Sequence, residues 1–191
     1  GYYALGSQHL VVRADTQSGR WTDLEEASSH KELLTHDVFS AWIDHGERVR
    51  DGSYAYAVMP GLDRERFVVL ADDFPFQVLS NTPSTQAVFF LEEDILQAAF
   101  FEAGALAVPD GVDIAVDAPC LLMVRTKGDR VIVSVSDPAQ KLDQIRVTLS
   151  GAFDGIHCVV KDDVSEVTVD LPQDEWSGKT VQVELVNLED K

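Results

Sequence analysis

The sequence predicts an all-β protein built as an antiparallel β-sandwich, and three observations carry that expectation. Short runs rich in Val, Ile, Phe and Thr recur along the chain, each closed by Gly, Pro, Asp or Asn. Several of them alternate apolar with polar. In Arg130–Ser136, residues Val131, Val133 and Val135 share one face, and Thr180–Leu185 alternates in the same way. Tight glycine-containing turns join neighbouring runs, as at Lys127-Gly128-Asp129, with similar signals at Asp110-Gly111 and Asp154-Gly155.

Taken in order, strands are expected at His9–Ala14, Val38–His45, Tyr54–Met59, Phe76–Asn81, Gln86–Leu91, Ile95–Phe101 and Ile114–Val116. Further strands are expected at Cys120–Thr126, Arg130–Ser136, Ile145–Leu149, Ile156–Val160, Glu166–Leu171 and Val181–Val186. Helical content is expected to be small. Asp23–Leu34 has acidic residues near its start and Leu33-Leu34 at its end, a pattern for one or two helical turns. Leu62–Ala71 follows Pro60-Gly61 and offers Asp63 as an N-cap, although β-branched Val68 and Val69 lower its propensity. A charged pair meets proline at Asp72-Asp73-Phe74-Pro75, which places a domain boundary there and divides the chain into 1–75 and 76–191.

Composition narrows the function classes. The 191 residues are 45% hydrophobic and 25% charged, a balance that excludes global disorder. No apolar run approaches the ~20 residues that a membrane-spanning helix needs. The net charge is -18, shared evenly between the two halves of the chain. Nucleic-acid binding needs a basic stripe, so that class is excluded, and no membrane partner is expected. The same charge argues against this chain by itself holding a polyanionic glycan tightly. Cys120 and Cys158 make no disulfide framework and are expected as buried thiols, bridged only if two strands juxtapose them. The chain opens Gly1-Tyr2-Tyr3 without methionine, which reads as a piece of a longer protein.

Four segments carry a family resemblance. They are Gly1-Tyr2-Tyr3, then Gly19-Arg20-Trp21-Thr22-Asp23-Leu24, then His45-Gly46 with Tyr54-Ala55-Tyr56 and Met59-Pro60, and finally Asp137-Pro138-Ala139-Gln140. In content and order they resemble the β-domains of polysaccharide lyase family 8, the chondroitin AC, hyaluronate and xanthan lyase group. The family's usual His-His-Gly is Asp44-His45-Gly46 here, and Ala139 stands where the family has Thr. The resemblance implies the end of a large central sandwich followed by a smaller C-terminal sandwich. It also implies that the catalytic Asn, His, Tyr and Arg belong to an N-terminal α/α toroid, with an assisting Glu early in the central β domain. None of those motifs occurs in this sequence. The toroid and the rest of the central β domain are therefore the implied partners, polysaccharide is reached through the parent enzyme, and the implied location is extracellular or periplasmic.

β-Elimination from a uronic acid needs a neutralised carboxylate, a base for the C5 proton and an acid for the leaving oxygen. His45 with Tyr54 or Tyr56 could be asked to do this. Tyr54 and Tyr56 share a strand face, and a packing role for both is the better reading if Ala55 and Ala57 face outward. No catalytic residue is assigned. His30 and His36 lie in a polar stretch, and His9 and His157 are single and strand-borne, so no zinc spacing results. Glu92-Glu93-Asp94 reads as a solvated turn rather than a calcium loop. No metal and no cofactor are expected. Trp42 lies in an apolar strand and is expected in the core. Trp21 and Trp176 lie in polar contexts and are the candidate glycan contacts, joined by Arg48 if the loop after Gly46 walls a cleft.

The function expected is therefore the non-catalytic β-sandwich portion of a lyase acting on uronic-acid-containing glycans. The alternatives are an independent carbohydrate-binding β-sandwich module and a purely structural or interaction module.

Overall fold

A computed structural model describes residues 1–6, 8–109 and 111–188. Its strands are β1 (Tyr2–Ala4), β2 (Leu10–Gly19), β3 (Leu34–Ile43), β4 (Tyr56–Val58), β5 (Phe76–Asn81), β6 (Thr85–Phe90), β7 (Ile95–Phe100) and β8 (Gly104–Leu106). They continue as β9 (Ile114–Val116), β10 (Cys120–Lys127), β11 (Arg130–Ser136), β12 (Gln144–Ser150), β13 (Phe153–Asp154), β14 (Cys158–Lys161), β15 (Val164–Asp170) and β16 (Val181–Asn187). One α-helix, α1 (Arg64–Asp72), and two 3-10 turns, Trp21–Asp23 and Asp174–Trp176, complete the described elements. By backbone contacts the chain divides into Gly1–Phe67 and Val68–Lys191.

The second unit is a two-sheet sandwich. One sheet runs β13-β16-β11-β10-β7-β6-β5 and the other β14-β15-β12-β9-β8, with antiparallel pairing throughout. Alternation sets the core. Val131, Val133 and Val135 of β11 point inward, and so do Leu122 and Val124 of β10 and Leu96 and Ala98 of β7. From the opposite sheet come Ile145, Val147 and Leu149 of β12 with Val167 and Val169 of β15. Val133, Val135, Ile145, Val147, Leu149 and Val167 are all 0% exposed. Each such side chain contributes roughly 1.5–3 kcal/mol on burial.

The first unit is organised differently. It holds two separate two-stranded ribbons, β1-β4 and β2-β3. None of its described residues is buried. In the β2-β3 register Leu10 faces Ile43, Val12 faces Ala41 and Ala14 faces Phe39, so these residues make one apolar face. That face is open: Phe39 is 64% exposed. Farther along the same face the ribbon turns polar, with Thr16 donating to Asp37 at 2.7 Å and Ser18 hydrogen-bonded to Thr35 at 2.8 Å. At the β1 end, a Cβ added to Gly1 would lie 2.1 Å from the Phe67 ring, so a larger residue there would displace that ring.

Several sequence expectations change. Trp42 is half-exposed rather than core, because its ribbon has no sheet laid across it. Asp23–Leu34 is not helical. A single 3-10 turn at Trp21–Asp23 precedes irregular chain, and Leu34 instead opens β3, which with β2 makes a longer hairpin than expected. Ala55 and Ala57 are the more covered residues and Tyr54 and Tyr56 face outward, the reverse of the packing arrangement expected. The Ile156 strand begins only at Cys158, because His157 adopts φ +56° and breaks it, so His157 is in a turn. Cys158 is only partly covered, and both cysteines are free. β8 and β13 have too few residues to show a pattern. Asp110 of the Asp110-Gly111 turn lies outside the described residues.

Truncation should separate the two units. Leu149→Ala is expected to cost about 2–5 kcal/mol in urea unfolding of the chain, the usual range for a buried leucine. Phe39→Ala should change the same midpoint by less than about 0.5 kcal/mol, as exposed positions do.

Candidate functional site

The features that could meet a ligand lie on turns. β3 ends at Ile43, and an Asx turn follows in which the Gly46 amide donates to Asp44 Oδ1 at 2.8 Å. Gly46 has φ +74°, which glycine adopts without strain. Arg48 and Asp51 hold φ +56° without being glycine, so this loop carries backbone strain at two positions. Gly52 allows the loop to close, since a Cβ there would lie 2.7 Å from Val49 Cγ1 and 3.5 Å from His45 Nδ1.

The loop gathers three rings. His45 and Tyr54 have centroids 6.2 Å apart, and Tyr54 stacks on Tyr56 at 6.3 Å with 18° between planes. Tyr54 is 57% exposed, so water is not excluded from the cluster. Residues 1–67 contain no asparagine. The cluster has a base and an acid by type, but it lacks the dry, preorganised donor that would neutralise a uronate carboxylate.

Of the predicted contacts, Trp21 sits in the 3-10 turn after β2, where the Arg20 amide donates to Asp23 Oδ2 at 2.9 Å, and it is half-exposed. Arg48 is exposed on the loop after β3. No hydrogen bond, ion pair or ring contact joins Trp21 to Arg48 among the described residues. Trp176 stands in the second unit, in the turn between β15 and β16. Its Lys179 neighbour, with Nζ 4.9 Å from the indole centroid, is a contact the sequence reading missed, although the i, i+3 spacing was visible.

The Trp176 turn rests on a second turn centred on Asp137. This carboxylate is 4% exposed and accepts from Ala139 N at 2.8 Å, Lys141 N at 2.6 Å and Leu142 N at 2.9 Å. Burial alone would raise its pKa. The backbone N–H donors of Lys141, Leu142, Ala139 and Gln140 together outweigh that and hold it below the usual carboxylate range. Asp137 is therefore a structural anchor, which gives the Asp-Pro-x-Gln segment its physical meaning. Cys120 offers no nucleophile. Burial, then repulsion from Asp117 and Asp137, pushes its thiol up to about 12. No group of three or more potential metal ligands occurs among the described residues.

Comparison with known proteins follows the same division. The family model for the super-sandwich domain of polysaccharide lyase family 8 matches residues 1–71, and that for the family's C-terminal beta-sandwich domain matches residues 77–146. The chain is 31% identical to chondroitinase-AC of Pedobacter heparinus over 183 residues, which is 96% of this chain and 25% of that protein. It is 33% identical to a hyaluronate lyase of Thermasporomyces composti over 149 residues, 78% of this chain and 18% of that protein. A solved chondroitinase AC lyase, studied as enzyme–oligosaccharide complexes, superposes with a TM-score of 0.81 at 30% identity, covering 95% of this chain and 26% of that one. The chain belongs to polysaccharide lyase family 8 and corresponds to its C-terminal β-sandwich region. It spans about a quarter of the length of the chondroitinase-AC it matches.

Asp137→Asn should destabilise the chain by about 2–4 kcal/mol in urea unfolding, because an amide cannot accept from all three amides that the carboxylate serves. The pH dependence has a definite sign. The folded pKa lies below the unfolded value of about 3.9, so this stabilisation is complete above that pH and is lost as pH falls through the folded value. The Asn variant should lack that part of the acid-induced loss.

Proposed function

We propose that this chain is the non-catalytic β-sandwich part of a polysaccharide lyase that cleaves uronic-acid-containing glycans of the chondroitin, hyaluronan or xanthan type by β-elimination. The observation that carries the proposal is the pairing of a matched central-domain segment having no core of its own with a fully formed terminal sandwich. The apolar face of β2-β3 is what the end of a larger sandwich presents to strands of the same domain. The N-terminal toroid and the rest of the central β domain are the proposed partners. Residues 1–75 and 76–191 are the proposed domain limits, and the location is extracellular or periplasmic, where such polysaccharides are met. Trp21 and Arg48 are proposed as substrate contacts only as part of the assembled enzyme.

The three requirements of β-elimination are not gathered among the described residues, and the proposal assigns the chemistry to the remainder of the parent. The chain incubated alone with chondroitin or hyaluronan should give no rise in the absorbance of the unsaturated uronate product. Turnover that vanished in Tyr54→Phe or Tyr56→Phe would move the chemistry onto the His45 cluster and contradict the scaffold role. In the assembled enzyme, Arg48→Ala should leave stability within about 0.5 kcal/mol. A tenfold loss of kcat/KM, about 1.4 kcal/mol of transition-state binding, would place Arg48 at the cleft wall.

A further inference from the structure

We propose that Asp51-Gly52 is a self-modification site. The Gly52 amide closes on the Asp51 carboxyl to a succinimide, and water reopens that ring to isoaspartate, in the folded chain and without an enzyme. Nothing in this depends on the lyase reading.

The bonds balance with water alone. The Gly52 nitrogen bonds to Asp51 Cγ, and its proton leaves with a carboxyl oxygen as water. Water then adds back to one of the two ring carbonyls. Opening at the side-chain carbonyl restores aspartate. Opening at the main-chain carbonyl leaves the chain running through Cβ and Cγ, with the α-carboxylate free. The product keeps the mass and the charge of the parent, but the loop has gained one main-chain atom.

Ring closure needs three things: a following residue with no side chain in the way, a carboxyl that is not held elsewhere, and a backbone free to turn. Two Asp-Gly pairs lie wholly within the described residues, Asp51-Gly52 and Asp154-Gly155, and they differ sharply. Asp51 and Gly52 are both exposed. From Glu47 to Ser53 no hydrogen bond or ion pair is made among the described residues, so the Gly52 N–H and the Asp51 carboxylate are both uncommitted. Asp51 holds φ +56°, a left-handed conformation that costs a residue bearing a Cβ, so rotation out of it releases strain. The loop also demands the glycine, since a Cβ at that position would lie 2.7 Å from Val49 Cγ1.

At Asp154-Gly155 the backbone is pinned. Asp154 ends β13 and pairs with Val186 of β16. Gly155 is packed so closely that a Cβ there would lie 2.4 Å from Leu185 Cδ2 and 3.1 Å from the Glu184 carbonyl. Its own carbonyl accepts from Cys158 N at 3.3 Å. That pair can turn only when β13 opens from β16.

The test is ageing of the 191-residue chain at neutral pH and physiological temperature in water enriched in heavy oxygen. The aged chain is unfolded and digested with an endoprotease that cuts before aspartate but not before isoaspartate. Loss of the cut before Asp51 should outpace loss of the cut before Asp154 by at least about tenfold, because only the second site waits on local opening. The peptide left uncut should carry at least one heavy oxygen and be otherwise unchanged in mass. Aged in guanidinium chloride, the two sites should react within about threefold of each other, since the fold no longer separates them. Asp51→Asn should lose ammonia from the folded chain through the same ring, faster than the parent isomerises. Its thermal melt should match the parent's, because the replaced group is exposed. Equal loss of the two cuts in the folded chain would overturn the proposal. So would a folded chain that keeps the cut before Asp51 while the unfolded chain loses it, or a folded Asp51→Asn chain that keeps its ammonia.

Discussion

An alternating strand is stable only when a second sheet covers its apolar face, and that constraint decides what each part of this chain can be. In the second unit it is met. Val131, Val133 and Val135 of β11 and Ile145, Val147 and Leu149 of β12 come from opposite sheets into one core, and none is more than 2% exposed. In the first unit it is not met. Leu10, Val12 and Phe39 line the face of a separate two-stranded ribbon and are 44%, 55% and 64% exposed. The two units thus differ in kind, one a sandwich with its own core and the other a pair of ribbons whose described residues are none of them buried.

Function follows from the same asymmetry. A closed sandwich is a stiff mount, and its turns can hold side chains in fixed positions. The Asp137 carboxylate shows how: one buried acid gathers successive backbone amides and fixes a loop on which the next turn rests. The His45 loop has strain and aromatic rings but no dry setting. Its rings stay open to water, which is not the setting of a reaction centre.

Much of the fold was legible in the sequence, for physical reasons. Period-two patterning in Thr180–Leu185 survives because Leu185 enters the core while Gln182 and Glu184 stay wet, and in Arg130–Ser136 because Val131, Val133 and Val135 enter the core, although Ser134 and Ser136 on the other face are covered as well. The family was legible from short motifs whose residues serve backbone geometry, such as Gly46 at φ +74° and Asp137 under its amides. Trp42 and the two tyrosines were misread because a strand pattern tells which residues share a face but not whether a second sheet exists to cover it. The Asp23–Leu34 segment was misread because acidic residues near a leucine pair mimic a capped helix, whereas Leu34 was the first residue of a strand. At the candidate site, Trp176 was singled out as a candidate contact through its polar surroundings. The support beneath it was not, because the partners Leu142, Gln140 and Asp137 are distant in sequence.

Native-state hydrogen exchange on the 191-residue chain tests the central claim most directly. The account predicts that amides of β11 and β12 exchange only by global unfolding, while those of β2 and β3 exchange at close to unprotected rates. Equal protection across β2-β3 and the β11 and β12 strands would contradict it. The first unit would then be stable without further chain, and a scaffold completed by the rest of a larger lyase would no longer describe it.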